Sequence, residues 1–65
     1  MKAIVKSDST FPREYENIKT RSALVIANEV GRCESGEKVE VRTNNGKLVD
    51  LAIWDGLKYY RAYCD

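Results

Sequence analysis

Histidine is absent from this 65-residue chain, and proline, phenylalanine and tryptophan each occur once. Without histidine the commonest general base is missing. The serines Ser7, Ser9, Ser22 and Ser35 have no neighbour that would activate a nucleophile, and no glycine-rich phosphate loop is present. Glu34 and Glu37 lie in a polar connection, where carboxylates are normally solvated. Only two cysteines occur, Cys33 and Cys64. Without histidine, two thiols cannot complete a tetrahedral metal shell, and Arg32 alone is a weak activator for Cys33. These gaps predict a protein that is not an enzyme and needs neither metal nor cofactor.

Long hydrophobic runs are also missing. No stretch approaches the ~18 to 20 apolar residues of a membrane-spanning helix. The opening Met1–Lys6 has no apolar leader region and is expected to be a strand. A cytoplasmic protein that avoids membranes is the expectation. In a reducing compartment Cys33 and Cys64 are two half-buried thiols; the alternative is a disulfide between the helix end and the last strand.

An excess of one charge is lacking as well, with 11 Lys and Arg against 10 Asp and Glu, a net charge of +1. A duplex binder working mainly through phosphates needs a basic surplus, and a DNA mimic an acidic one. Neither is present over the whole chain.

What remains is a composition of 43% apolar and 32% charged residues, suited to one small globular domain spanning residues 1–65. Such a chain buries only ~60% of the surface it exposes when unfolded. Lys2–Ser7 reads as a strand, Ser7–Pro12 as a polar loop, and Glu14–Lys19 as a second strand with weak alternation. Thr20 is placed to cap a helix from Arg21 to about Arg32. Its apolar stripe is Ala23, Ile26, Ala27 and Val30, at i, i+3, i+4, i+7. Gly31 and Ser35-Gly36 mark its end.

Three strands should follow. Lys38–Arg42 alternates cleanly, and Asn44-Asn45-Gly46 turns the chain. A two-residue Asn45-Gly46 loop would set Asp50 opposite Val41 on the apolar face. A three-residue loop pairs Val41 with Val49 and Val39 with Leu51, with Gly46 in the left-handed position, and is preferred. Asp55-Gly56 then links Leu48–Trp54 to Leu57–Cys64 as a hairpin. Pairing outward from it puts Leu51 opposite Tyr60, Val49 opposite Ala62, Ala52 opposite Tyr59, and Asp50 beside Arg61 as an ion pair. The expected architecture is α+β: one helix on one face of an antiparallel sheet, in the order β-(β)-α-β-β-β.

In that register the uncovered face presents Trp54, Tyr59, Arg61 and Tyr63, with Arg42 and Lys38 nearby. Trp, Tyr and Arg are enriched at binding hot spots, which makes these six the candidate partner-binding residues. The same residues also suit an ordinary scaffold face, since aromatics favour strands. Three partners fit: another protein, single-stranded nucleic acid stacked on the aromatic rings, or a second copy pairing face to face or along a strand edge.

Met1-Lys2-Ala3, the helix from Ser22-Ala23 through Val30, Val39-Glu40-Val41, Asn45-Gly46, Asp55-Gly56 and Tyr59-Tyr60-Arg61 with Cys64 follow one another in an order that resembles small phage-encoded type I-F anti-CRISPR proteins. The resemblance spans nearly the whole chain as a pattern of punctuation. It implies a protein inhibitor that binds a CRISPR surveillance complex and obstructs its target-DNA pathway, and it carries over no individual contact residue.

Overall fold

A computed structural model describes residues 1–63. Its elements are β1 (Lys2–Lys6), β2 (Arg13–Tyr15), α1 (Ala23–Val30), β3 (Lys38–Arg42), β4 (Leu48–Trp54) and β5 (Tyr59–Arg61). The strands form one antiparallel sheet in the order β2-β1-β3-β4-β5. α1 crosses one face and packs on β3, β4 and β5. The α+β class and the order of elements are as the sequence predicts.

The apolar stripe forms the helix as expected: Ala23, Ile26 and Ala27 are buried and Val30 is half-buried. Its start differs. Ser22, not Thr20, is the N-cap, its hydroxyl accepting from the Val25 N–H at 3.3 Å. Thr20 sits two residues before it and accepts from the Ser22 N–H at 3.2 Å. The helix ends at Val30 because the Gly31 N–H closes back on the Ala27 carbonyl at 2.8 Å and the chain then extends. The second strand is Arg13–Tyr15, shorter and earlier than Glu14–Lys19. Asn17 with φ 59° turns the chain away after it.

The first hairpin keeps the three-residue turn and loses the predicted register. Thr43 pairs with Lys47 around Asn44–Gly46, and Gly46 has φ 90°, the left-handed conformation glycine adopts without steric cost. Arg42 then stands opposite Leu48, but Val41 stands opposite Asp50 and Val39 opposite Ala52. Val49 is the extra residue of a β-bulge. A one-residue slip exchanges the two faces of a strand. Val39 and Val41 remain in the core, while Val49 and Leu51 lose the positions expected for them to Asp50 and Ala52.

The second hairpin turns on Gly56-Leu57 rather than Asp55-Gly56, with the Asp55 side chain accepting from the Leu57 and Lys58 N–H groups at 2.8 Å each. Trp54 therefore pairs with Tyr59, Ile53 with Tyr60 and Ala52 with Arg61.

The core beneath α1 comprises Ala3, Val5, Ala23, Ile26, Ala27, Val39, Val41, Ala52 and Tyr59. Most of these are Ala and Val, so the layers approach closely and Tyr59 is the largest side chain among them. Two carboxylates, Glu37 and Asp50, are buried with the core, and each is saturated with hydrogen-bond donors. That saturation is what a buried charge requires.

Candidate functional site

The six residues singled out from sequence do not share a surface. Trp54, Tyr59 and Arg61 lie on the helix side of the sheet, whereas Lys38 and Arg42 lie on the open side. Tyr63 follows β5 and is half-buried.

Tyr59 serves the fold. Its ring is 8% exposed and lies 4.9 Å from that of half-buried Trp54. Its hydroxyl donates to the Glu37 carboxylate and accepts from the Cys33 N–H at 2.9 Å. Glu37 also accepts from the Arg32 N–H at 3.1 Å and the Glu34 N–H at 3.4 Å. The segment from Gly31 to Glu37 is thus wrapped around one buried carboxylate, which holds Cys33 at φ 57°. Burial by itself would raise the Glu37 pKa; the Tyr59 hydroxyl and the backbone donors outweigh it and hold the group below its ordinary value. Burial, then the neighbouring carboxylate, pushes the Tyr59 phenol up, so it stays a donor. Cys33 is an exposed free thiol. Cys64, its partner in the disulfide considered from sequence, lies outside the described residues.

Arg61 pairs with Asp50 at 2.9 Å, the ion pair expected from sequence, but on the helix side. Asp50 also accepts from the Ala23 and Leu51 N–H groups at 2.9 Å each. Burial raises its pKa, and these donors more than reverse the effect.

The face of the sheet opposite α1 is left uncovered by the described elements. Residues directly opposite one another share a face. β1 contributes Lys2, Ile4 and Lys6, and β3 contributes Arg42, Glu40 and Lys38. β4 contributes Leu48, Leu51 and Ile53, and β5 contributes Tyr60. Glu14 of β2 stands beside Ile4.

The face has two halves. Over β4 and β5 it is aliphatic, with Leu51 and Ile53 half-buried and Tyr60 41% exposed. Over β1 and β3 it is charged. Glu40 lies at the centre, paired with Lys6 at 3.2 Å and Arg42 at 2.9 Å. Burial raises the Glu40 pKa, and these two cations together lower it. Lys2 pairs with Glu14 at 3.5 Å, and Lys38 is exposed with no ion pair among the described residues. Four cations face two carboxylates in a chain whose net charge is only +1.

Sequence reasoning placed Leu51 and Tyr60 in the core and gave Ile4 and Ile53 no role. One signal pointed the other way. Ala3 and Ala52 are small residues within strands, suited to lie beneath a helix that carries Ala23 and Ala27, and all four are buried.

A groove of about 510 Å³ on the helix side runs between α1 and the second hairpin; Leu24, Ala27, Trp54, Leu57 and Tyr59 line it together with the polar Asn28 and Lys58. No helix among the described residues is long and apolar enough to cross a membrane. Comparison with known proteins gives no match to a family model, a curated protein or a solved structure.

Proposed function

We propose that this chain is a non-catalytic, cytoplasmic protein-binding module, an inhibitor or adaptor that acts by occupying a surface of another protein. The observation that carries the proposal is the open sheet face. Leu48, Leu51, Ile53 and Tyr60 form an aliphatic and aromatic strip over β4 and β5 that no described element covers. Contiguous apolar surface of this kind marks interaction sites on small domains. Lys38 and Arg42, singled out from sequence, border it. Trp54, Tyr59 and Arg61 lie on the helix side of the sheet, away from this strip. The resemblance to type I-F anti-CRISPR proteins supports the inhibitor form and names a CRISPR surveillance complex as the first partner to try.

Single-stranded nucleic acid, the second candidate, loses its aromatic platform. Tyr59 is sealed under α1, and Tyr60 is the one aromatic ring left on the open face among the described residues. Glu40 at the centre of that face opposes phosphate.

The test is a comparative pull-down from nuclease-treated host lysate with the wild-type chain and the double variant Ile53→Ser/Tyr60→Ser. Both positions are half-buried or exposed, so the variant should fold. A partner retained by the wild type and lost by the variant is expected. Equal retention by the folded variant would remove the open face from the interaction.

A further inference from the structure

The division of the open face describes its occupant. Resting on the reading of that face as a protein-binding surface, we propose that it seats an acidic amphipathic helix of the partner.

The dimensions fit a helix. β4 has seven residues, so its lane is ~23 Å long at ~3.3 Å per residue. A helix rising 1.5 Å per residue matches that length with ~15 residues. A helix is ~10 Å across, about two strand spacings of ~4.8 Å, so its apolar stripe can lie along Leu48, Leu51 and Ile53 while one flank lies over β3 and β1. α1 already covers the other face in this way. A second helix would complete a three-layer arrangement and shield the apolar lane.

The charge selects the flank. Lys2, Lys6, Lys38 and Arg42 stand against Glu14 and Glu40, and Glu40 is already shared between Lys6 and Arg42. A surplus of cations therefore borders the apolar lane on one side, and Lys38 has no ion pair among the described residues. Acidic side chains beside an apolar stripe complement this pattern and steer its approach. A second copy of the chain does not: it would set cations against cations, or against Leu51 and Ile53. A nucleic-acid strand meets Glu40 in mid-face and a single ring.

The probe is a peptide of about 15 residues with leucines at i, i+3, i+4, i+7 spacing and glutamates on the flanks. Two counterparts carry lysine or glutamine on the flanks. Each is titrated into the full isotope-labelled chain while amide resonances are followed. The glutamate peptide should shift residues of β3, β4 and β5, bind on the order of tenfold tighter than the lysine peptide, and weaken as salt rises. The charge-reversed variant Lys6→Glu/Lys38→Glu should exchange the preference.

If the lysine peptide binds the wild type equally well on the open face, the acidic flank is wrong and the protein-binding reading stands. If no peptide perturbs that face, the helix seat is wrong, and the pull-down of Ile53→Ser/Tyr60→Ser judges the broader reading independently. Stronger shifts on the same face from an oligothymidylate would overturn the proposal in favour of nucleic acid. Concentration-dependent light scattering that masks the face would overturn it in favour of self-association.

Discussion

Asp50, in the middle of β4, accepts a hydrogen bond from the Ala23 N–H at the first turn of α1, 2.9 Å away. The start of a helix leaves N–H groups without intrahelical partners. Here the sheet supplies an acceptor from below while Ser22 supplies one from the chain itself. The same carboxylate takes the Leu51 N–H and the Arg61 guanidinium. One side chain thus fixes the helix on the sheet and fixes which face of β4 looks inward.

Replacing Asp50 by Ala should cost about 2 to 4 kcal/mol, because buried N–H groups lose their acceptor. Asp50→Asn keeps an acceptor oxygen and should cost about half as much. Arg61→Ala should cost under about 1 kcal/mol, since the Arg61 side chain is 54% exposed and water screens its ion pair. Urea midpoints rank the three. An Arg61→Ala loss as large as that of Asp50→Ala would mean that the ion pair, not the backbone contact, holds the helix.

Gly31 is required by space. A Cβ there would stand 2.0 Å from the Tyr59 hydroxyl oxygen and 2.4 Å from the Ala27 carbonyl oxygen. Gly31→Ala must therefore displace Tyr59 from Glu37 and should destabilise the fold by about 2 kcal/mol or more. Tyr59→Phe removes only the hydroxyl and should cost about 1 to 3 kcal/mol. Thermal unfolding of both variants checks this, and an unchanged midpoint for Gly31→Ala would contradict the close approach.

Acid should weaken the fold through four carboxylates. Glu37, Glu40, Asp50 and Asp55 all have pKa values lowered from their ordinary values of 4.5, 4.5, 3.8 and 3.8. The unfolded chain then binds protons first as the pH falls, so stability rises with pH through that window. It should be fully present above about pH 5 and decline as the pH drops through 4.5 and 3.8 toward the folded-state values. Urea midpoints from pH 7 to pH 2 measure it. Glu37→Gln should flatten part of the decline, and a constant midpoint between pH 5 and pH 3 would contradict the assignment.

Cys33 adopts φ 57°, a conformation that non-glycine side chains resist and asparagine tolerates better. Cys33→Asn should therefore leave the fold intact and raise its stability by about 0.5 kcal/mol, since the residue is exposed. Calorimetry of the reduced protein decides this; a lower midpoint would mean that the thiol contributes packing.

Much of the fold is legible from local chemistry. The stripe Ala23, Ile26, Ala27 and Val30 has helical period, and Val39 and Val41 have strand period. Asn44-Asn45-Gly46 demands its turn because Gly46 accepts a left-handed backbone. Each of these depends on residues a few positions apart. Ser22 over Thr20 as the cap is a smaller correction of the same local kind, since either hydroxyl suits the position.

The make-up of the open face is a different matter. The sequence by itself determined the class, the number of elements and the alternation along each strand. Only the tertiary structure decided which half of β4 is inside, through a bulge at Val49 that shifts the pairing by one residue. The physical reason is that strand alternation is symmetric between two faces, and a contact between distant residues breaks the tie. Asp50 can be buried because Ala23, 27 positions earlier, brings it a backbone donor, and Leu51, Ile53 and Tyr60 are turned outward as the consequence.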